Sequence, residues 1–225
     1  MEHLYNGYTL CLSENAFPLS TDSMLLADFV RLPKNASVLD LGSGCGTLGM
    51  LLCAKDPSCT VTGVELNEED HLMAVQNIAR NDLSSRLSSI CADLRNVDPG
   101  TYQICVSNPP YFSGGPAASG LVHTRREDTC PLPDLIGAAA RSLRFGGDFY
   151  LVHRPERLAE ICQLAGNANL IPKRLRLVRH SPEKDVSLIL LQCRKGAKSG
   201  LAWDEIALWN NDGTPTAAYR AAYHI

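Results

Sequence analysis

The segment Val38-Leu39-Asp40-Leu41-Gly42-Ser43-Gly44-Cys45-Gly46 constrains this chain more than any other. An apolar run reaches three alternating glycines, and a helix-forming stretch, residues 47–54, follows at once. Glycines so spaced let the backbone turn sharply and open the main chain to a ligand, because no Cβ stands in the way. Strand, glycine turn and helix in that order begin a βαβ unit, which requires a parallel neighbour. Besides residues 37–41, the runs 60–66, 87–92, 103–107, 148–153, 174–178 and 186–193 are rich in apolar or β-branched residues. Helix-like stretches lie between them, so the chain is expected to fold as an α/β protein, a mostly parallel sheet with helices on both faces.

Local signals sharpen some of these helices. Asn67 can cap a helix whose first turn carries Glu68, Glu69 and Asp70, with Leu72, Met73, Val75 and Ile78 as its inner face. Pro131 and Pro133 introduce a helix over residues 134–143 that Gly146-Gly147 stops. Thr21-Asp22-Ser23 opens another over residues 24–30. The 225 residues suit one domain: a 1–35 extension, a 36–199 core, and a 200–225 tail or extra strand.

Two ligand classes use a glycine loop after a strand. Gly44-Cys45-Gly46-Thr47-Leu48-Gly49 matches the G-x-G-x-x-G of dinucleotide sites, where a helix N-terminus receives a pyrophosphate. Asp40 argues for the other class, since a carboxylate at the strand end repels a pyrophosphate and suits an ammonium. S-adenosyl-L-methionine carries that ammonium, a sulfonium and no phosphate. Gly42, Gly44 and Gly46 would admit it. Glu65, at the end of the next strand, can accept from ribose hydroxyls, and Asp93, after the third, from an adenine amino group.

The run 103–107 leads into Asn108-Pro109-Pro110-Tyr111, followed by Phe112. Two prolines hold the backbone extended and remove two donors. The Asn108 side-chain oxygen and the Pro109 carbonyl can then both face one planar NH2 group, with Tyr111 or Phe112 stacked on it. Hydrogen bonds there return electron density to the nitrogen and ready it to attack a methyl group.

With both motifs in place, the chain resembles the class I S-adenosylmethionine-dependent methyltransferases that act on planar amino groups. Within them it resembles the bacterial tRNA (adenine-N6-)-methyltransferases that modify valine tRNA. Thr21-Asp22 with Leu25-Leu26, and Arg126 with Thr129, extend the likeness over roughly residues 6–198. The resemblance implies a Rossmann-like seven-stranded sheet with its last strand antiparallel. It also implies Asn108, Pro109 and Tyr111 at the reacting amino group, Asn108 also beside the cofactor, S-adenosyl-L-homocysteine as product, and no metal. A glutamine side-chain amide is also planar and bears NH2, so a protein-methylating enzyme remains open, as does a nicotinamide-dependent oxidoreductase.

Charge favours a nucleic-acid partner over a protein one. The net charge is −3, yet residues 1–120 hold 6 Lys/Arg against 13 Asp/Glu, while residues 171–198 hold 8 against 2. Such a local excess steers a polyanion to one face. Lys173, Arg174 and Arg176, with Arg125 and Arg126 after the tetrapeptide, are the expected contacts to an RNA, tRNA above all. Nine cysteines without C-x-x-C spacing predict buried thiols rather than zinc or disulfides. No apolar run approaches a membrane span, and the N-terminus lacks a basic start and apolar core, which predicts a cytoplasmic protein.

Overall fold

A computed structural model describes residues 1–14, 16, 18–96, 98, 100–110 and 130–224, so Tyr111, Phe112, Arg125, Arg126 and Thr129 lie outside the described residues. The strands β1 (Glu2–His3) and β2 (Thr9–Leu10) pair as a small antiparallel ribbon. Eight more make one sheet: β3 (Ser37–Leu41), β4 (Thr60–Glu65), β5 (Leu87–Cys91), β6 (Tyr102–Ser107), β7 (Leu143–His153), β8 (Leu170–Arg179), β9 (Val186–Lys195) and β10 (Ala202–Ala207). Their order is β10-β8-β9-β7-β6-β3-β4-β5, and only β9 runs antiparallel to its neighbours. The α/β expectation holds, and the strand read as seventh is the antiparallel one.

The strand count is corrected to eight. Residues 200–225, expected as a tail or an extra strand, supply β10 through Ala202-Trp203-Asp204-Glu205-Ile206-Ala207, whose polar sequence suits an exposed edge strand. Its carboxylates are spent on the neighbouring strand: Asp204 on Arg176 at 2.7 Å, and Glu205 on Arg179. Charges on an edge also discourage pairing with another chain.

The helices are α1 (Thr21–Phe29), α2 (Thr47–Lys55), α3 (Glu68–Arg80), α4 (Leu132–Ser142), α5 (Leu158–Asn167) and α6 (Ala217–Tyr223). Alternation along the central strands divides the core. Val38, Tyr150 and Val152 face α1 and α2, whereas Leu39, Leu41, Phe149 and Leu151 face α4 and α5. Among the described residues no helix is long and apolar enough to cross a membrane. All nine cysteines are free thiols, five of them buried.

Two helix readings need correction. First, α4 ends at Ser142, and β7 begins directly at Leu143 instead of after the glycine pair. Residues 144–147 form a bulge: between the pairs Tyr102↔Leu143 and Ile104↔Asp148 the chain advances two residues on β6 and five on β7. Second, the inner face of α3 is only half the expected one. Ile78 is buried and Met73 packs against the core, but Leu72 and Val75 are exposed, and Asp70, Ala74 and Asn77 are buried.

The reason is a ladder of side-chain amides. Asn77 accepts from the Cys11 N–H at 2.9 Å and donates to the Cys11 and Cys45 carbonyls at 2.8 and 3.0 Å. Asn81 does the same for Thr9, at 2.8 Å in each direction. Two asparagines one turn apart thus replace a partner strand for the N-terminal segment and tie it to the glycine loop. Asn81→Ala is expected to cost about 1–2 kcal/mol, the price of two part-buried backbone groups losing partners. Urea denaturation measures it, and a loss below about 0.3 kcal/mol would mean water replaces the amide.

Candidate active site

The strands β3, β4 and β5 run outward to one edge of the sheet, and the chain then returns to place β6 on the other side of β3. That reversal puts the topological switch point at the carboxyl ends of β3 and β6, the position at which open α/β sheets take their ligands. Four neighbouring strands deliver the expected residues to this edge: Asn108 directly after β6, Asp40 on β3, Glu65 closing β4, and Asp93 two residues past β5.

The glycine loop hooks over the end of β4. The N–H groups of Gly42 and Ser43 both donate to the Val64 carbonyl, at 2.9 and 3.1 Å. Gly42, Gly44 and Gly46 have φ of +74°, +52° and +86°, the left-handed region, and nothing stands within 4 Å of a Cβ added at the first two. Gly63 is a requirement that the sequence reading missed. A Cβ there would lie 2.6 Å from Ser43 Oγ, so the loop could not lie down on β4.

Charge in this loop is poorly compensated. Asp40 is buried, and its Oδ2 has no hydrogen-bond partner among the described residues; the same holds for Ser43 Oγ. Burial, and then the nearby Glu65 carboxylate, push the Asp40 carboxyl up to about 7. Glu65 accepts from the Gly44 N–H and the Asn67 N–H, each at 2.8 Å. Burial still holds it above the ordinary carboxylate range. Each of its oxygens retains a lone pair for a hydroxyl donor. Two adjoining carboxylates with an unsatisfied buried oxygen fit a cationic ligand, and an amino-acid ammonium approaching over an open glycine loop supplies that cation.

Asp93 sits differently. It is held by Arg95, through Nε at 2.9 Å and Nη2 at 2.5 Å, and those bonds keep its carboxyl below the usual range. The described chain resumes at Cys130, whose thiol burial and then Glu65 push up to about 12, with Asp134 and Asp93 also close enough to contribute.

Asn108 is oriented by a residue absent from the expected set. Its Nδ2 donates to Ser23 Oγ at 2.9 Å, which turns the amide oxygen away from α1. Ser20 caps α1 by accepting from the Ser23 N–H, and Ser107 Oγ fixes the end of β6 by donating to the Leu41 carbonyl at 2.7 Å. Pro109 is buried against this frame. The only trace of Ser23 in the sequence is the helix-start cluster Thr21-Asp22-Ser23, which reads as capping.

Lys173, Arg174 and Arg176 are not beside Asn108. They lie on β8, near the far end of α1: the Arg174 guanidinium stacks 4.3 Å over Phe29, and Arg176 is paired with Asp204.

Comparison with known proteins places the chain. The family model described as "Methyltransferase small domain" matches residues 18–165. The tRNA1(Val) (adenine(37)-N6)-methyltransferase of Aeromonas hydrophila is 28% identical over 210 residues, covering 91% of this chain and 87% of that protein. The protein of the same name from Porphyromonas gingivalis is 28% identical over 80% of this chain and 75% of its own length. Among solved structures, a predicted O-methyltransferase from Agrobacterium tumefaciens superposes with a TM-score of 0.76 at 22% identity, covering 91% of this chain and 96% of its own. A methyltransferase from Pyrococcus furiosus gives 0.61, also at 22%, covering 79% of this chain and 84% of its own. At that identity the structures speak for the fold, and the family model speaks for the chemistry. This chain belongs to the methyltransferase small domain family and is a methyltransferase.

Proposed function

We propose that the protein transfers the methyl group of S-adenosyl-L-methionine to the exocyclic amino group of an adenine in tRNA. The observation that carries the reading is Asn108, held by Ser23 at the carboxyl end of β6, on the strand next to the one that carries the buried, unsatisfied Asp40. Relatives that bear the tRNA adenine name and align over most of both chains support the choice of substrate.

When bound, the cofactor supplies an electrophilic methyl group on its sulfonium. Asp40 balances the ammonium, and Glu65 accepts from the ribose hydroxyls, using the lone pairs that Gly44 and Asn67 leave. Asp93, steadied by Arg95, is placed to accept from the cofactor's adenine. The Asn108 amide oxygen and the Pro109 carbonyl accept the two N–H groups of the target, which keeps the nitrogen lone pair available. Tyr111 serves as the stacking partner of the flipped base. As the N–C bond forms and the S–C bond breaks, the nitrogen becomes acidic and its proton leaves to solvent. No strong base is needed, and positioning carries the barrier reduction, for which about 7–11 kcal/mol is accessible.

The test is incubation with methyl-labelled cofactor and total small RNA, followed by digestion to nucleosides. Label in N6-methyladenosine is expected, and label in protein instead would replace this reading with glutamine methylation. Glu65→Ala should weaken cofactor binding by about 1.5–3 kcal/mol, as expected for charge-assisted hydrogen bonds. Calorimetry checks it, and unchanged affinity would remove Glu65 from the site.

A further inference from the structure

The other end of β6 opens on a second concavity, about four residues or roughly 13 Å along the strand from Asn108. It encloses about 650 Å³, and its charged lining is Arg31, Arg144, Lys173, Arg174 and Arg194 against the single carboxylate of Asp148. Asp148 is committed to Arg194 by two bonds of 2.9 Å. Lys173 donates to the Lys198 carbonyl at 3.2 Å, and Arg174 reaches Gln192 Oε1 at 3.4 Å. Arg31 and Arg144 have no side-chain partner among the described residues. Burial, and then the proximity of Arg31, make the Arg174 guanidinium less basic than usual.

A structural purpose for the cluster would be to cap the C-terminus of α1. Lys55 does most of that task, donating Nζ to the carbonyls of Ala27, Asp28 and Val30 at 2.8, 2.7 and 2.7 Å, and Arg174 adds one bond of 3.5 Å to the Phe29 carbonyl, which leaves Arg31 and Arg144 without a part in it. Arg144 is, moreover, presented by a built feature, the β7 bulge. Phe145 pins the bulge by lying on Gly196, where a Cβ would come within 2.0 Å of the ring. At Gly147 a Cβ would lie 2.9 Å from the Gln103 carbonyl oxygen, so the bulge admits no side chain at that point. Guanidinium forks gathered in a concavity without enough carboxylates suit the oxygens of a phosphate group.

We infer that this cavity is a phosphate site that holds the backbone of the substrate RNA at the sheet edge opposite to the reacting adenine. The inference rests on the tRNA reading for the source of the phosphate, while the site itself rests on Arg31, Arg144, Lys173 and Arg174. It also explains why Lys173 and Arg174 lie far from Asn108: they grip a different part of one long ligand. A short single strand that reaches only Asn108 would miss the cavity, so the site selects for a substrate of folded-RNA size.

The test compares the full chain with its Arg31→Gln/Arg144→Gln variant, using cofactor affinity as the check that the fold is intact. Pyrophosphate binding, followed by calorimetry, should weaken at least tenfold in the variant. Binding to total tRNA should weaken at least tenfold at low salt, and the log–log salt slope should flatten by about 1.4–1.8, for two lost contacts. Pyrophosphate that fails to bind the native chain, or binds both proteins alike, overturns the site. If pyrophosphate binding falls while the tRNA slope stays, the phosphate site stands and its ligand is a free phosphorylated molecule, which overturns the RNA backbone as its source. If label goes to protein in the methylation assay while pyrophosphate still depends on the two arginines, the tRNA reading fails and the phosphate site survives.

Discussion

Asp40→Asn should yield a more stable protein that no longer binds its cofactor. The Asp40 carboxyl, near 3.8 in an unfolded chain, is raised to about 7 in the fold by burial and by Glu65. Between those values the folded protein holds the proton more tightly than the unfolded one, so stability is full below about pH 4 and falls as pH rises to about 7. A shift of that size corresponds to about 4 kcal/mol. Asparagine is neutral throughout, so the variant should be more stable than the native chain by about 2 kcal/mol at pH 8 and no more stable at pH 5. Part of the gain is offset by the amide N–H groups that asparagine buries. Cofactor binding should fall by at least 100-fold, because the variant has no charge for the ammonium. In the native protein that ammonium favours the ionised carboxylate, so affinity should rise with pH up to about 7 and binding at pH 6 should release a proton. Denaturant titrations at the two pH values and calorimetry in buffers of different ionisation enthalpy read these effects. A native stability that is flat from pH 5 to 8 would show that Asp40 is ionised without penalty and would remove the argument.

Asn108→Ala should reduce kcat by roughly 10²–10³, the loss typical when one preorganised hydrogen-bonding group at a reacting centre is removed. Cofactor affinity should change by less than about threefold, since Asp40, Glu65 and the glycine loop remain. Ser23→Ala removes the hydroxyl that accepts from Asn108 Nδ2 and leaves the carboxamide present without that anchor. Its expected loss is about tenfold in kcat, with little change in thermal midpoint. The double variant should be no slower than Asn108→Ala alone, because Ser23 acts through the asparagine. Multiplied losses in the double variant would give Ser23 an independent role, and near-native turnover of Asn108→Ala would reduce the tetrapeptide to a turn.

The parallel sheet, the glycine turn and the order of the acidic strand ends were legible in the chain because each is written locally. An apolar run, a glycine spacing or a carboxylate at a strand end lies within a few consecutive residues. The cap at Asn67 was legible for the same reason, and its side chain accepts from the Asp70 N–H as expected. What the tertiary structure decided depends on residues far apart in sequence. Asn77 and Asn81 sit where an amphipathic pattern asks for apolar side chains, and they make sense only against Cys11, 66 residues from Asn77, and Thr9, 72 residues from Asn81. Ser23 looks like part of a helix start until β6 brings Asn108 to it across 85 residues. Gly63 looks like a weak point in a strand until Ser43 lies on it. The basic residues of β8 were legible as an excess of charge, but the sequence could not divide them. Side-chain alternation and the edge strand β10 spend Arg176 on Asp204, while the β7 bulge gathers Arg144 with Arg31 and Arg174 around a cavity. Composition sets how much charge a segment carries, and only packing determines which of those charges are left without a partner.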